Sequence, residues 1–179
     1  MNVKHYLDGG MGTTLLEMGA FKHQQEFMQL WSLAPLLDKS RHSFITKAHQ
    51  SFLQAGATVL TTNTYACTNH IIKQHTPPSK DNDGVFNAQE TLNTAIADAV
   101  QLAQRARGTQ SNVSIAGALP PLQDSYCPTQ VLNATNMMSE YENMVRIMSE
   151  NKVDVLLCET MSCIQEAYCA LHACQTIAP

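Results

Sequence analysis

The 179-residue sequence contains neither a long apolar run nor a basic stretch. No segment approaches the ~20 consecutive apolar residues that a membrane-spanning helix requires. No long apolar region follows Lys4, so the N-terminus does not resemble a secretory signal peptide. A net charge of −4 without clustered Lys or Arg disfavours nucleic acid and anionic membranes as partners. We therefore expect a cytoplasmic protein.

Motifs for disulfides and metal ions are also missing. No Cys-x-x-Cys or His-x-x-x-His occurs, so the cysteines are expected to be free thiols and the histidines to be surface or capping residues. Cys163 and Cys174 lie about three helical turns apart, and we interpret both as small buried hydrophobic residues. The six cysteines are Cys67, Cys127, Cys158, Cys163, Cys169 and Cys174. The histidines in question are His5, His49, His70, His75 and His172.

Hydrophobic residues make up 44% of the chain and charged residues 15%, which is typical of one globular domain with its own core. Periodicity predicts strands that alternate with helices. The last helix carries Ile164, Ala167, Tyr168, Leu171 and Cys174 on one side. The predicted strands are 5–8, 57–65, 113–117 and 153–158. The predicted helices are 38–56, 86–107, 134–150 and a final one from about 164. Loops are predicted at 32–35 and 73–84.

This alternation is typical of parallel βαβ units with right-handed crossovers. Two architectures fit it, an open doubly wound sheet and a (β/α)8 barrel. A complete barrel needs ~250 residues, so four units would form half of one.

Distinctive residues stand at the carboxyl end of each predicted strand, where ligands bind in parallel α/β proteins. These ends are Asp8-Gly9-Gly10, Thr62-Asn63-Thr64-Tyr65, Gly117-Ala118-Leu119-Pro120 and Glu159-Thr160. The glycine-rich stretch is neither a dinucleotide-binding fingerprint nor a P-loop. Asp8 could form a local turn and Glu159 could help to cap a helix. Alternatively, the two carboxylates could together hold the ammonium group of a ligand.

Four motifs in series resemble the homocysteine S-methyltransferase family. They are Asp8-Gly9-Gly10-Met11-Gly12-Thr13, Thr61-Thr62-Asn63-Thr64-Tyr65, Ala116-Gly117-Ala118-Leu119-Pro120-Pro121 and Asp154-Val155-Leu156-Leu157-Cys158-Glu159-Thr160. The family includes betaine and S-methylmethionine enzymes and the homocysteine-binding module of cobalamin-dependent methionine synthase. The series spans nearly the whole chain, and it is more specific together than any of its pieces.

The resemblance implies a zinc-dependent (β/α)8 barrel that transfers a methyl group to the homocysteine sulfur and so forms methionine. By motif position, Asp8 and Glu159 would hold the amino-acid part of homocysteine. Gly9 and Gly10 would allow close backbone approach. Asn63, Thr64 and Tyr65 would line the same rim. The chain would be the N-terminal half of such a barrel, with about four βα units in one partial domain over residues 1–179.

The sequence departs from the family in its metal ligands. Members bind Zn²⁺ through three cysteines of the second barrel half, two of them in a Gly-Gly-Cys-Cys motif, which this sequence lacks. We therefore expect a fragment or natural truncation that needs a C-terminal half, or an inactive barrel that oligomerises or pairs with another chain. A third hypothesis is another barrel enzyme with Asp8 and Glu159 as an acid–base pair. The methyl donor stays open among S-methylmethionine, S-adenosylmethionine, betaine and a methylated corrinoid or folate.

Overall fold

A computed structural model describes residues 4–75 and 87–178 of the chain. None of the helices within these two ranges is both long and apolar enough to cross a membrane. In order, the elements are α1 (Met11–Glu17), α2 (Gln24–Leu30), α3 (Leu33–Leu37), a 3₁₀ turn (Lys39–Arg41), α4 (His42–Gln54), β1 (Val59–Thr61), α5 (Asn69–His75), α6 (Ala88–Arg107), β2 (Ser114–Leu119), α7 (Ala134–Glu150), β3 (Val155–Cys158) and α8 (Ile164–Ile177).

The strands form a parallel sheet in the order β1-β2-β3. The predicted first strand, 5–8, is reduced to a single parallel bridge between Leu7 and Val59. There the Asp8 N–H donates to the Val59 carbonyl at 3.0 Å, and the Val59 N–H donates to the Tyr6 carbonyl at 3.0 Å. Pairing stops at once because Gly9 and Gly10 follow, and glycine is a poor strand former. The parallel α/β character predicted from the sequence is confirmed.

Helices α6 and α7 also agree with the prediction. α7 has the predicted bounds, and it buries the predicted side chains, Met137, Tyr141, Met144, Val145 and Met148. Asn87 caps α6 by accepting two backbone N–H bonds, and Asn133 caps α7. Gly56, just after α4, has φ +100°, a conformation that favours glycine.

One loop prediction was wrong, and a second was wrong at its start. The segment 32–35 enters a helix, since α3 begins at Leu33 and Pro35 lies in its first turn, where the missing N–H has no intrahelical role. The loop predicted for 73–84 begins inside α5, which continues to His75. The remainder of that prediction lies outside the described residues.

The last helix, α8, buries a different side from the apolar side predicted from the sequence. Its buried side consists of Glu166, Cys169, Ala170 and Ala173, and it packs on α7. Small side chains allow two helices to approach closely, which favours this side over the bulkier one. Ile164, Tyr168 and Leu171 instead stay 90%, 63% and 53% exposed. Cys163 and Cys174, predicted to be buried, are half-buried, and all six cysteines are free.

Arg41 joins the segments around α2 and α3. Its guanidinium donates to Glu26 at 2.9 and 3.0 Å, to Asp38 at 3.0 Å and to the Ala20 and Ala34 carbonyls. Asp38 also accepts the Ser40 hydroxyl at 2.6 Å, and this bond, with help from Arg41, lowers the pKa of Asp38 to about 2. The network fixes the corner between α2 and α3, which carries Trp31 towards the carboxyl ends of the strands.

Candidate active site

A cleft of about 220 Å³ opens where the carboxyl ends of the strands meet the glycine-rich segment. Five of the residues predicted for the site line it, and Asp8 adjoins it through Gly9. The cleft is lined by Gly9, Gly10, Met11, Gly12, Thr13, Trp31, Ser32, Thr61, Thr62, Asn63, Tyr65 and Glu159.

Asp8 is held tightly from the side of β1. One carboxylate oxygen, Oδ2, accepts the Thr61 N–H at 2.9 Å, and the other, Oδ1, accepts the Thr61 hydroxyl at 2.6 Å. The side chain is only 2% exposed. Its bonds reach across to the neighbouring strand, so it does not form the local turn that the sequence left open. Within the described ranges no Lys or Arg pairs with it, which leaves a buried acid without a permanent counter-charge.

Glu159 is the second acid of the site. Burial and the negative charge of Asp8 both raise the pKa of Glu159. Its backbone N–H bonds the Leu119 carbonyl at 3.1 Å, but its carboxylate has no hydrogen-bond or ion-pair partner in the described part of the chain. The alternative that Glu159 caps the last helix is not realised, because Cys163 holds the N-cap position of α8. Asp8 and Glu159 come from opposite edges of the sheet and still interact.

The glycines of the first motif serve close packing. None of Gly9, Gly10 and Gly12 has a positive φ. A Cβ on Gly9 would stand 2.9 Å from the Phe52 ring, and one on Gly12 would stand 3.4 Å from the Trp31 ring. The absence of side chains therefore lets aromatic groups approach the floor of the cleft.

The motif after β1 divides its side chains between the cleft and the protein interior. Asn63 lines the cleft and donates to the Ser32 carbonyl at 2.9 Å, while its buried Oδ1 lacks a partner among the described residues. Thr64 does not line the cleft, because it is fully buried and donates to the Ala118 carbonyl at 2.6 Å. The Tyr65 hydroxyl bonds Ser125 Oγ at 2.5 Å.

A second cavity of about 580 Å³ adjoins the cleft. Trp31 and Tyr65 line both spaces, so they form the wall between them. Trp31 packs against Phe27, with ring centroids 5.2 Å apart and ring planes tilted by 51°. It has φ +47°, which is strained for a bulky residue. The second cavity is lined by Trp31, Tyr65, Ala66, Ile71, Pro121, Gln123, Asp124, Ser125, Tyr126 and Thr160. The sequence motifs did not indicate Trp31, which has no signal beyond its being the single tryptophan.

The prediction that His49 is a surface or capping residue was wrong. The side chain is fully buried on α4, and its Nδ1 lies 3.8 Å from Asp8 Oδ2. Helical spacing could have indicated burial, since Ile45, one turn earlier, is also buried. The contact with Asp8 could not be read from the chain because it joins distant segments.

Cys158, the last residue of β3, forms a thiol pair with Cys174 of α8. The Cys174 thiol donates a hydrogen bond to the Cys158 sulfur, and this bond lowers the pKa of Cys158 to about 7. Within 4–75 and 87–178 no group of three or more His, Cys, Asp and Glu side chains is arranged to hold a metal ion. The thiol pair therefore does not complete a metal centre with the described residues.

A sequence profile described as homocysteine S-methyltransferase matches residues 6–179. The chain belongs to this family. The family resemblance carried by the four motifs is thereby confirmed.

The chain is also similar to solved structures of the homocysteine methyltransferase MmuM from Escherichia coli. The metallated form is 20% identical with a TM-score of 0.75, and the match covers 96% of this chain and 59% of that one. The oxidised form gives 20% identity, a TM-score of 0.74 and coverage of 96% and 57%. The apo form gives 18% identity, a TM-score of 0.63 and coverage of 96% of this chain and 54% of that one. This family member thus spans a little over half the length of the structures it matches, and its fold is that of a partial barrel.

Proposed function

We propose that this chain carries the homocysteine-anchoring part of a methyltransferase that moves a methyl group from a small donor to the homocysteine sulfur. Membership of the family supports the reaction class. The observation that carries the proposal is the pair of acids, Asp8 and Glu159, which interact at one cleft without a cationic partner among the described residues. That arrangement suits a ligand with an ammonium group.

The ammonium group of homocysteine would relieve an electrostatic cost that the cleft carries when empty. Two neighbouring carboxylates repel each other, and burial of Glu159 adds to the cost of its charge. An ammonium bound between Asp8 and Glu159 would satisfy both, and charge-assisted hydrogen bonds are among the stronger ones. Backbone along Gly9 and Gly10, together with Asn63 and Tyr65, would line the rest of the amino-acid site.

The second cavity is the place that we propose for the methyl donor. Its walls include the Trp31, Tyr65 and Tyr126 rings and the Asp124 carboxylate. Aromatic faces and a carboxylate favour a positively charged group. This lining favours a sulfonium or quaternary ammonium donor over a neutral one. In the transfer, a sulfur lone pair of homocysteine would form the new S–CH₃ bond while the bond from the methyl carbon to the donor breaks. The thiol proton would pass to solvent water. The electron pair of the broken bond would stay with the donor, which would leave one methyl group smaller and with its cationic centre neutralised.

The reaction needs a thiolate, because a thiol of pKa ~8.5 is mostly protonated at neutral pH. Zinc, which the family resemblance implies, would deprotonate and position the sulfur in a complete barrel. The described residues do not form such a site, so no step of the proposal runs through a metal in this chain. In our proposal this chain binds and orients the amino acid, and the zinc ligands belong to a further barrel half.

We also propose that the exposed side of α8 is covered in the working protein by a further barrel half or by another chain. Ile164, Tyr168 and Leu171 present a contiguous apolar stripe, at helical spacings of four and three residues. Light scattering on the purified chain tests whether a second copy of the chain is the cover. A particle of twice the chain mass or more supports self-association, and a stable monomer contradicts it. The single partial domain and the cytoplasmic location stay predictions.

Calorimetric titration with L-homocysteine tests the anchoring roles. Asp8→Asn and Glu159→Gln each remove a charge and keep the shape, so each should weaken binding about 10- to 100-fold, the loss of one charge-assisted hydrogen bond. Glu150→Gln is the matched control, since this exposed residue lies at the end of α7 away from the cleft, and it should bind like the wild type. Equal binding by all four proteins would reject the assignment of Asp8 and Glu159.

A further inference from the structure

His49 is a buried polar side chain whose hydrogen-bonding groups are not used. It is 0% exposed, and neither Nδ1 nor Nε2 has a hydrogen-bond partner in the described part of the chain. Buried polar atoms nearly always have partners, so an unsatisfied pair of ring nitrogens calls for an explanation. A leucine or methionine would fill the same space without this cost, which makes packing alone a poor reason for histidine.

The structure places the carboxylate of Asp8 near His49, with Nδ1 3.8 Å from Oδ2. This gap exceeds a hydrogen bond, but a movement of less than about 1 Å would close it. Asp8 has room for the bond, because a carboxylate offers about four acceptor positions and Thr61 uses two of them. Thr61 contacts Asp8 from β1, whereas His49 approaches from α4.

We propose that His49 is a positioning residue for Asp8. Its Nδ1–H donates to Asp8 Oδ2 and fixes the carboxylate for the substrate ammonium, and the bond shortens when the cleft is filled. Functional hydrogen bonds are often long in empty sites and tighten in the complex. This inference rests on the proposed function, because it takes Asp8 as the group that receives the ammonium. His49 itself does not line the cleft and acts only through Asp8.

The bond requires one tautomer, which can be measured without any ligand. ¹⁵N NMR of histidine-labelled protein, with the His49 signals assigned by their loss in His49→Leu, should find Nδ1 protonated and Nε2 unprotonated. The opposite tautomer overturns the inference whether or not homocysteine binds. This NMR measurement therefore tests the role of His49 even if the proposed function is wrong.

Binding of two ligands separates positioning from a general structural role. L-homocysteine carries the ammonium group, and 4-mercaptobutanoate is the same molecule without it. His49→Leu should weaken homocysteine binding about tenfold, the loss of one hydrogen bond to a charged group, and should leave 4-mercaptobutanoate binding within about twofold. Equal weakening of both ligands, or of neither, overturns the inference.

His49→Asn is the rescue variant, because its amide nitrogen can occupy the position of Nδ1. It should keep homocysteine binding within about threefold of the wild type. A loss as large as that of His49→Leu overturns the inference, and this variant also decides the question if His49→Leu does not fold. If wild-type protein binds no homocysteine, the proposed function is wrong, and the tautomer alone decides the role of His49.

Discussion

Glu166 offers a sharp test of what holds the rim of the cleft in place. This carboxylate is 1% exposed in the first turn of α8. Its Oε1 accepts the Leu122 N–H at 3.1 Å, and its Oε2 accepts the Ser162 N–H at 2.9 Å. Leu122 follows β2 and Ser162 follows β3, so one side chain connects two loops that border the site.

Glu166→Gln should lower the free energy of unfolding by about 1–3 kcal/mol, because the glutamine amide turns a donor towards one of the two backbone N–H groups and leaves it unsatisfied. Glu166→Ala leaves both N–H groups without a partner and should cost about twice as much. Urea unfolding followed by circular dichroism measures these losses. With a slope of ~2 kcal/mol per M, the midpoint for Glu166→Gln should fall by about 1 M.

Glu150→Gln makes the same chemical change on the exposed end of α7, and its midpoint should stay close to that of the wild type. If Glu166→Gln proves as stable as the wild type, the two loops do not depend on this carboxylate, and the reasoning is wrong.

Three further changes test other parts of the structure. Tyr141→Phe removes the buried hydroxyl that donates to the Pro120 carbonyl at 2.9 Å, and it should cost about 1–3 kcal/mol in thermal unfolding; an unchanged melting temperature would contradict this. Gly9→Ala places a methyl group 2.9 Å from the Phe52 ring and should destabilise the protein by about 1–3 kcal/mol. Adding Phe52→Leu should recover part of that loss, and failure to recover any would point to another cause. Because the pKa of Glu159 is raised in the folded state, the folded protein binds more protons above about pH 4, so stability should fall as the pH rises through the raised pKa. Urea midpoints of Glu159→Gln should lack this decline, and equal pH profiles would contradict the assigned cause.

Much of the fold could be predicted because local rules and tertiary packing agree. α7 follows its apolar periodicity, and α6 begins after a capping asparagine and ends before a glycine with φ +58°. The predictions failed mainly where contacts with neighbouring elements determine which side of a segment is buried. The apolar side of α8 is exposed because its alanine side packs on α7, and periodicity cannot tell which partner a helix meets. The strand at 5–8 failed for another reason, because Gly9 and Gly10 end its pairing with β1 after a single bridge.

The same distinction between local sequence and tertiary contacts applies to the candidate site. The motifs predicted Asp8 and Glu159 for the site, since their place at strand ends is a property of the local sequence, and their role in binding stays a prediction. They did not identify His49 or Trp31, which reach the site from α4 and from the corner after α2. Thr64 belongs to the same motif as Asn63, but its hydroxyl is used to bond the neighbouring strand. The alternation of side chains along that segment becomes certain only once the strand pairing is known.

The positions of Asp8 and Glu159 in the sheet also bear on its curvature. Asp8 belongs to the segment that bridges β1, and Glu159 follows β3 at the far side of the order β1-β2-β3. In a flat sheet such outer positions would lie three strand spacings apart, roughly 14 Å. Asp8 nevertheless raises the pKa of Glu159, which agrees with the curved sheet of a partial barrel. An ammonium group bound by both carboxylates would link the two edges of the curved sheet. Ligand affinity would then be highest when the sheet is most curved and would fall as the sheet flattens.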